Sequence, residues 1–536
     1  MEKHNVSVTE PEEKPINPVM LNNVPYFMGI SLLYAVCFTA AFYKNFIGIT
    51  FPFITAATLI VCWLFLKKNE ISWRRSNWWY AAAVMLLGVS TVLTANWFVI
   101  FFNTLGILLL VTVFMIRQIY DDRTWNFWQY ICNILFLYLC MVPEAASPFI
   151  HFVYDMKKHK QEEKRNKNIK YIFIGILIGL PMILVVIELL SSADQIFSRF
   201  VGNAFHNMGS QIVFSPNLFL VLFLMALGFF GIYSFLSALT QNNMPEWKKR
   251  ESRQNPIIAI TFLSMITAVY LVFCTIQAVF LFTGGRLLPR GYTYSEYAHQ
   301  GFFQLLFLCM FNLILVVLCL SVFRKHKLLN GLLLVFSGCT YLMIASSAFR
   351  MALYISAYHL SFLRVLVLWF LGMLAVLMAG VIVSIVKSEF HLFRYCMAVV
   401  TASYLLFSFG RADALTASYN TAHLGEDMSY EDVAYLTSLS ADAVPALSRC
   451  EFEHEHSAHN TEQYGGYTED IYGNITGLTL EQDRKGYVSG CRRCKLEQKF
   501  RRTLSEAEGM NWRTFHFSRY QAAKAAEKYL QMNIYR

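Results

Sequence analysis

Five ionisable residues lie inside or beside long apolar runs of this chain, and they are the first candidates for chemistry. They are Asp194, Arg199, Glu296, His299 and Arg350. A charged group at membrane depth is costly, and where one occurs it commonly marks the path of a substrate or ion. The alternative is that these groups reach water at helix ends or pair with one another. The functional hypothesis is a polar cluster that faces a cavity.

Glu296 and His299 are three residues apart, so a helix would place them on one face, where they could pair, titrate or bind a cation. They belong to a stretch, 291–304, that is also rich in tyrosine. Tyrosines at a membrane–water boundary need no ligand to explain them. One such pair is therefore a weak indication of a metal site.

Cysteine and histidine residues also occur together near the end of the chain: Cys450, His454, His456, His459, Cys491 and Cys494. One C-x-x-C pair is half of a four-ligand zinc site, and the earlier residues have no standard zinc spacing. The pattern therefore predicts no cofactor and no metal, with Cys491 and Cys494 as weak candidates. A disulfide from Cys491 to Cys494 or Cys450 and free thiols both remain open.

The motifs of several enzyme classes are missing. The sequence has no P-loop, no G-x-G-x-x-G after a strand, no H-E-x-x-H and no G-x-S-x-G. This weighs against an ATP-driven or hydrolytic machine and favours a protein that is not an enzyme. A membrane-embedded transferase remains compatible, because its carboxylates can be scattered along the chain.

The elements that must position these residues follow from an apolar composition. Of 536 residues, 56% are hydrophobic and 15% are charged, whereas an ordinary soluble domain has roughly 25% charged residues. Apolar runs of about 20 residues, enough for a helix to cross the hydrocarbon core, recur along the chain. The net charge of +10 lies mostly in short gaps between these runs. It indicates membrane orientation and not nucleic-acid binding.

Twelve apolar segments are candidate spans. They run over Pro25–Tyr43, Phe46–Leu66, Trp78–Phe98, Val99–Ile116, Trp125–Val142, Tyr171–Leu190, Asn217–Leu239, Ile257–Phe282, Phe302–Phe323, Leu329–Phe349, Leu363–Val386 and Phe393–Phe409. The predicted fold is an all-α, polytopic transmembrane helix bundle of about 11–12 spans with a small, partly disordered C-terminal polar tail.

Basic residues in the gaps predict the orientation of the bundle. The gap at 157–170 holds seven Lys or Arg, the gap at 248–253 four and the gap at 324–327 three. These gaps lie two segments apart and share one face, which the positive-inside rule assigns to the cytoplasm. The tail after Phe409 is then extracytoplasmic.

One segment must break the alternation, because the gap at 67–75 also holds four basic residues but lies three segments before the strongest basic gap. The segment Trp125–Val142 continues through Pro143, Glu144 and Pro148, which favours a re-entrant or interfacial helix. This gives eleven spans with the N-terminus inside. A true span there would give twelve, with the N-terminus outside.

The sequence divides into four parts. Residues 1–24 form a polar N-terminal segment, 25–410 the transmembrane domain, 411–447 a short helical extramembrane segment and 448–536 a polar tail. Ser429 and Asp432 have the spacing of a capping box, and another helix is predicted after Ser518. Between Ser448 and Met510 we expect partial disorder.

Several stretches are specific in combination: Ser192-Ala193-Asp194 with Phe197, Tyr294–Ala298 with Gly301–Leu305, Asp413-Ala414-Leu415 with Tyr419-Asn420, and Tyr435–Leu447, which includes Asp442. Together they resemble a bacterial family of multi-pass membrane proteins, the domain of unknown function 4173, which is related to family 4153. The resemblance covers roughly residues 170–447. It implies a bacterial plasma membrane location and supplies no activity, substrate or catalytic residue. The chain after Cys450 departs from the family pattern.

Two classes of function are compatible with these observations. The first is a transporter or small-molecule-binding membrane protein with the predicted polar cluster around a cavity. The second is an envelope sensor or assembly factor that binds a partner protein through its extracytoplasmic tail. The lipid bilayer is the expected environment in both cases. The small-molecule ligand and the envelope partner are not identified by the sequence.

Overall fold

The computed structural model describes residues 18–159, 216–240, 254–282, 302–453 and 491–534, apart from positions 46, 121, 123, 124, 126 and 388. The regular elements in these ranges are helices. The first seven are α1 (Pro18–Asn22), α2 (Val24–Phe42), α3 (Thr50–Lys68), α4 (Trp78–Leu93), α5 (Trp97–Ile119), α6 (Phe127–Glu144) and α7 (Ser147–His159).

The remaining helices divide between the bundle and the tail, a name used below for residues 411–536. In the bundle they are α8 (Pro216–Thr240), α9 (Pro256–Phe282), α10 (Phe302–Val322), α11 (Lys327–Tyr358), α12 (Phe362–Val386) and α13 (Leu392–Phe409). The described part of the tail contains α14 (Ala412–Leu424), α15 (Tyr430–Ser438), α16 (Val444–Leu447), α17 (Arg492–Glu508) and α18 (Phe517–Ile534).

Among the described residues, ten helices are long and apolar enough to cross a bilayer: α2–α5 and α8–α13. A helix can cross hydrocarbon because its backbone groups bond within the segment. Large apolar side chains stay exposed on the outside of the bundle, such as Leu33 at 66%, Val269 at 67% and Leu406 at 74%. The predicted all-α polytopic bundle is confirmed, and lipid is its surrounding solvent.

Two large apolar cores lie among the described residues of the bundle. One includes Tyr80, Phe114 and Tyr233 from α4, α5 and α8. The other includes residues of α9–α12, with Phe336 fully buried in its centre. Small residues allow close approach between helices. A Cβ on Gly228 of α8 would lie 3.1 Å from the Ala35 Cα of α2.

The helix ends define two faces of the bundle. The tail face carries the tail, which contacts the α2–α3 loop at Asn45, the α4–α5 loop at Thr94 and the α11–α12 loop at Leu360. The opposite end, here called the basic face, carries the α3–α4 and α10–α11 loops. The structure therefore places the basic gaps at 67–75 and 324–327 on one face, as the eleven-span alternative requires.

Helices α6 and α7 form a pair bent by 55°. The start of α6 and the end of α7 both lie at the basic face, and they are the outer ends of the pair. There, Tyr130 of α6 contacts Asp122 and Lys158 of α7 contacts Asn22. Between these ends, Phe149 packs on Phe230 of α8. Phe230 lies roughly 15 Å along the helix from the basic end of α8. Because both outer ends lie at the same face, we interpret the pair as re-entrant, the alternative that its prolines favour, and call it the re-entrant pair below.

The described parts of the tail share one apolar core. Leu436 of α15, Leu496 and Phe500 of α17, and Ala526 and Tyr529 of α18 belong to it. Within the stretch 448–510, where partial disorder is expected, α17 is helical and its apolar side chains are buried against α15. The rest of that stretch, 454–490, lies outside the described residues.

Local signals in the tail predict its helix starts well. The capping box of Ser429 and Asp432 is present at the start of α15. The helix expected after Ser518 begins two residues earlier than predicted, at Phe517. Both starts depend on neighbouring residues alone, which explains why the sequence identifies them.

Most predicted spans agree with the described helices to within a few residues. The segment Trp78–Phe98 ends as a helix at Leu93, and α11 continues past Phe349 to Tyr358. The longer α11 ends two residues before Leu360, which contacts the tail. The segment Tyr171–Leu190 lies outside the described residues, so the total span count stays a prediction.

Candidate functional site

Of the five residues predicted to form a polar cluster, Arg350 is the one that the described ranges include. It lies on α11, eight residues before Tyr358, so its backbone is about 12 Å from the tail-face end of that helix. Its Nη2 donates to Oε1 of Gln277 on α9 at 3.0 Å, and Ser346 donates to the same oxygen at 2.7 Å. The other four residues lie outside the described ranges: Asp194, Arg199, Glu296 and His299. Their convergence stays a prediction.

The motif residue Asp442 is buried where the tail meets the bundle. Its Oδ2 accepts from the Thr94 hydroxyl at 2.6 Å, and the Ala95 N–H donates to Oδ1 at 3.2 Å and to Oδ2 at 3.3 Å. From the tail, Arg411 Nη2 donates to Oδ1 at 3.2 Å, and the Ser518 hydroxyl donates to the same atom. This carboxylate therefore joins the tail to the α4–α5 loop.

Asp413 and Asn420 also attach the tail. Asp413 Oδ2 accepts from the Asn96 amide at 2.8 Å. The Asn420 side chain pairs with both backbone groups of Leu360, accepting from the N–H at 3.0 Å and donating to the carbonyl at 2.9 Å. The fourth motif residue, Tyr419, stacks within the tail on His423, with ring centroids 4.0 Å apart.

His516 lies fully buried in the same interface. Its Nε2 is 3.0 Å from the Thr91 carbonyl, and its Nδ1 accepts from the Arg519 N–H at 3.4 Å. A neutral ring with the proton on Nε2 satisfies both contacts. Burial, and then the charge of Arg519, lowers the pKa of His516 to about 4. The imidazole is therefore uncharged at neutral pH.

Cys491 and Cys494 lie at the start of α17. The Cys491 sulfur accepts from the Cys494 N–H at 3.3 Å. Burial, followed by the neighbouring Cys491, raises the pKa of Cys494 to about 12. This thiol is therefore protonated and a poor nucleophile at neutral pH. No group of three side chains suited to a metal ion occurs among the described residues. His454, His456 and His459 are outside them.

A carboxylate that the sequence analysis did not select as a site lies at the break between α6 and α7. Glu144 is 7% exposed. The hydroxyls of Ser147 and Ser237 donate to its Oε2, the latter at 2.6 Å. The sequence signal was a glutamate beside Pro143 at the end of an apolar run. Its partner on α8 is 93 residues away, so the sequence could not show the site.

A second ionisable side chain, His151, lies on α7, the second helix of this re-entrant pair. His151 Nδ1 is 2.8 Å from the Tyr233 hydroxyl of α8, and both residues are buried. Tyr233 and Ser237 are four residues apart, so they lie on the same face of α8. That face of α8 therefore holds one carboxylate and one imidazole from the re-entrant pair on successive turns.

The basic face holds another group that the sequence analysis missed. Asp122, between α5 and α6, forms ion pairs with Arg74, Arg117 and Arg394. Arg394 is separated from Asp122 by 272 positions in the chain. A local sequence pattern cannot identify a group whose members meet only through helix packing.

Comparison with known proteins identifies a family but no activity. A family described as a domain of unknown function (DUF4153) matches residues 81–450. No curated protein and no solved structure matches the chain. The family match supports the predicted relation to 4153, while the narrower 4173 assignment and the bacterial source stay predictions. Because the match covers more than half of its length, the chain belongs to the DUF4153 family.

Proposed function

We propose that this multi-pass membrane protein is a small-molecule transporter in which Glu144 binds a proton that is coupled to solute movement. The observation that carries the proposal is the position of a buried carboxylate at the break of a re-entrant helix pair. Ionisable groups within a membrane bundle are costly and are found mainly where they bind ions or substrates.

The surroundings of Glu144 suit reversible proton binding. Two hydroxyls, from Ser147 and Ser237, donate to the same carboxylate oxygen. Each hydroxyl can also rotate and accept a hydrogen bond, so the pair can serve a protonated or an ionised carboxyl group. His151 of α7 contacts the same face of α8 through Tyr233 and adds a second group that can exchange protons. A change of charge here would act directly on the contacts between α6, α7 and α8.

Arg350 supports the proposal from the other face. Its side chain is 7% exposed and is hydrogen-bonded to Gln277 of a neighbouring helix. Glu144 is approached from the basic face and Arg350 lies nearer the tail face, so the bundle holds ionisable groups on both sides of its middle. The proposed cluster of Asp194, Arg199, Glu296 and His299 with Arg350 would form the solute site on the tail side.

The test uses purified protein in proteoliposomes that contain a pH-sensitive dye. Mixtures of amino acids, sugars and nucleosides are added outside, and proton entry is recorded from the dye. We expect at least one mixture to cause proton entry with the wild-type protein. Glu144→Gln removes the titratable group and keeps similar size and polarity, so the solute-dependent signal should be lost.

Glu389→Gln is the matched control, because Glu389 is exposed at the basic face and lies outside the re-entrant pair. It should transport like the wild type. Equal proton entry with Glu144→Gln and wild type would refute the role of Glu144. Failure of every mixture, in vesicles that respond normally to a protonophore, would count against proton-coupled transport.

A second candidate function, an envelope sensor or assembly factor, is favoured by the attachment of the tail. Asp442, Asp413 and Asn420 bind loops between four membrane helices. A partner that moved the tail would therefore act on α4, α5, α11 and α12. This function requires an extracytoplasmic tail. It is refuted if a cysteine introduced at an exposed position of the tail does not react with a membrane-impermeant reagent in intact cells.

A further inference from the structure

Three guanidinium groups surround one buried carboxylate at the basic face. Asp122 Oδ2 is 2.9 Å from Arg117 Nε and 3.1 Å from Arg394 Nη2, while Arg74 Nη1 is 3.9 Å from Oδ1. The Tyr130 hydroxyl donates to Oδ2 at 2.5 Å. These residues come from the ends of α5, α6 and α13 and from the α3–α4 and α5–α6 loops. Four of these residues are called the arginine cluster from here on: Arg74, Arg117, Asp122 and Arg394.

The arginine cluster carries an excess of positive charge. Three arginines and one aspartate give a formal charge of +2. The flanking Asp121 and Arg123, which lie outside the described residues, carry opposite formal charges and do not alter this sum. Arginine stays protonated at any physiological pH. The excess charge therefore has to be balanced by solvent ions or by an anionic ligand.

Hydrogen-bond donors are in excess at the same place. Four buried donor atoms have no hydrogen-bond partner in the described structure: Arg394 Nε, Gln118 Nε2, Asn77 Nδ2 and Trp73 Nε1. Among the same residues, one buried acceptor atom, Asn77 Oδ1, lacks a partner. These residues adjoin the arginine cluster. The Gln118 side chain accepts from the Arg74 N–H, and the Asn77 N–H donates to the Arg74 carbonyl. Buried polar groups normally have partners, so these donors favour a ligand that is rich in acceptors.

The arginine cluster is open to a ligand on one side. The side chains of Arg74 and Arg394 are 41% and 35% exposed, whereas Arg117 is 7% exposed. Arg117 therefore forms the floor of the site and the other two arginines its rim. The site lies where α5 ends and α13 begins, beside Trp73, Trp78 and Trp79. Tryptophans of this kind are typical of the membrane–water boundary.

We propose that the arginine cluster binds a phosphate group at the basic face. A phosphate carries negative charge and several acceptor oxygens, and the guanidinium fork matches it with paired hydrogen bonds. The position at the boundary suits the headgroup of an anionic lipid, and the exposed rim also admits the phosphate of a soluble compound. Both sources present the same chemistry to the arginines. The proposal is independent of proton transport through Glu144.

The experiment measures thermal unfolding of the full-length protein in nanodiscs by tryptophan fluorescence. One arm adds inorganic phosphate to protein in phosphatidylcholine nanodiscs. The other arm compares phosphatidylcholine nanodiscs with nanodiscs that also contain phosphatidic acid, whose headgroup is a phosphate monoester. A ligand that binds only the folded state raises the unfolding temperature in a concentration-dependent way.

Arg74→Gln and Arg394→Gln test the rim of the site. Arg74→Gln leaves Asp122 paired with Arg117 and Arg394, so the interior of the network is retained. We expect each variant to bind phosphate roughly tenfold to a hundredfold more weakly, because a charge-assisted hydrogen bond is lost. Arg75→Gln is the matched control: it makes the same change of charge next to Arg74, and Arg75 is exposed and makes no contact with Asp122.

Each outcome decides the proposal. A shift with inorganic phosphate that falls in the rim variants and persists in Arg75→Gln supports a soluble phosphorylated ligand. The same pattern with phosphatidic acid alone supports a lipid headgroup. Equal shifts in all four proteins would show general surface electrostatics and overturn the proposal. The absence of a shift with both probes in the wild type would overturn it as well.

Discussion

At the scale of single residues, the buried polar groups of this protein act by joining elements that are far apart in the chain. Asp442 illustrates this, because its two oxygens bind Thr94 and Ala95 of the bundle together with Arg411 and Ser518 of the tail. His516 belongs to the same interface and is held there as the neutral imidazole. Its lowered pKa predicts that attachment of the tail depends on pH.

The sign of that sensitivity follows from the two states of His516. In the docked tail its pKa is lowered to about 4, compared with 6.5 for the ordinary side chain. Between these values the undocked state takes up a proton that the docked state excludes. The contribution of His516 is therefore complete above pH 6.5 and is lost as the pH falls toward 4. From pH 7.5 to pH 5 it should fall by about 2 kcal/mol, roughly a thirtyfold change in opening.

Hydrogen exchange of the tail helices, corrected for the intrinsic effect of pH, measures this opening. His516→Gln keeps a donor and an acceptor but cannot take up a proton, so its opening should depend less on pH than that of the wild type. His423→Gln replaces an exposed histidine of the same tail and should behave as the wild type does. An unchanged pH dependence in His516→Gln would exclude His516 as its source.

At the scale of elements, the re-entrant pair α6 and α7 determines both the topology and the proposed proton site. By length and composition the pair could also be one broken span across the membrane. The contacts of its two outer ends favour a re-entrant pair over such a span. Tyr130 and Lys158 both reach partners at the basic face. The break between the two helices brings Glu144 next to α8.

Cysteine labelling tests this assignment. In a cysteine-free background, Gln129→Cys and Lys158→Cys place one thiol at each outer end of the pair. Because both ends lie at the basic face, both thiols should react with a membrane-impermeant reagent from the same side, in intact cells or in inverted vesicles. Arg75→Cys, in another basic-face loop, provides the reference. Labelling of positions 129 and 158 from opposite sides would mean that the pair crosses the membrane.

At the scale of the whole molecule, the two faces of the bundle differ in charge. Within the described loops, four basic residues lie at 67–75 and three at 324–327 on the basic face, whereas the α2–α3 loop on the tail face has Lys44 alone. Positive residues in short loops are typical of the cytoplasmic side. We therefore expect the tail, with its attached α14–α18, to be extracytoplasmic.

An exposed cysteine in the tail tests this orientation better than the native ones do. Cys491 is buried, and the raised pKa of Cys494 lowers the fraction of reactive thiolate. Asp427→Cys, at an exposed position between α14 and α15, should be labelled by an impermeant reagent in intact cells. Arg75→Cys should react only after lysis. The reverse result would place the tail in the cytoplasm and open the Glu144 site to the outside.

The sequence by itself determined the class of the protein, most of its membrane helices and the helix starts in the tail. These features depend on properties that act within about 20 residues: a run long enough to cross hydrocarbon, backbone bonds closed within one helix, and a cap three residues from its partner. The loop charges at 67–75 pointed in the same way to the re-entrant segment.

Only the tertiary structure decided which polar side chains meet. Thr94 and Asp442 are 348 positions apart, Asp122 and Arg394 272, and Glu144 and Ser237 93. Each pair forms because helices that are individually apolar pack in one arrangement and bring their ends together. Such contacts leave no periodic signal in the chain. For this reason the tail motif could be recognised but not explained as an attachment, and the arginine cluster and the Glu144 site were not recognised as sites.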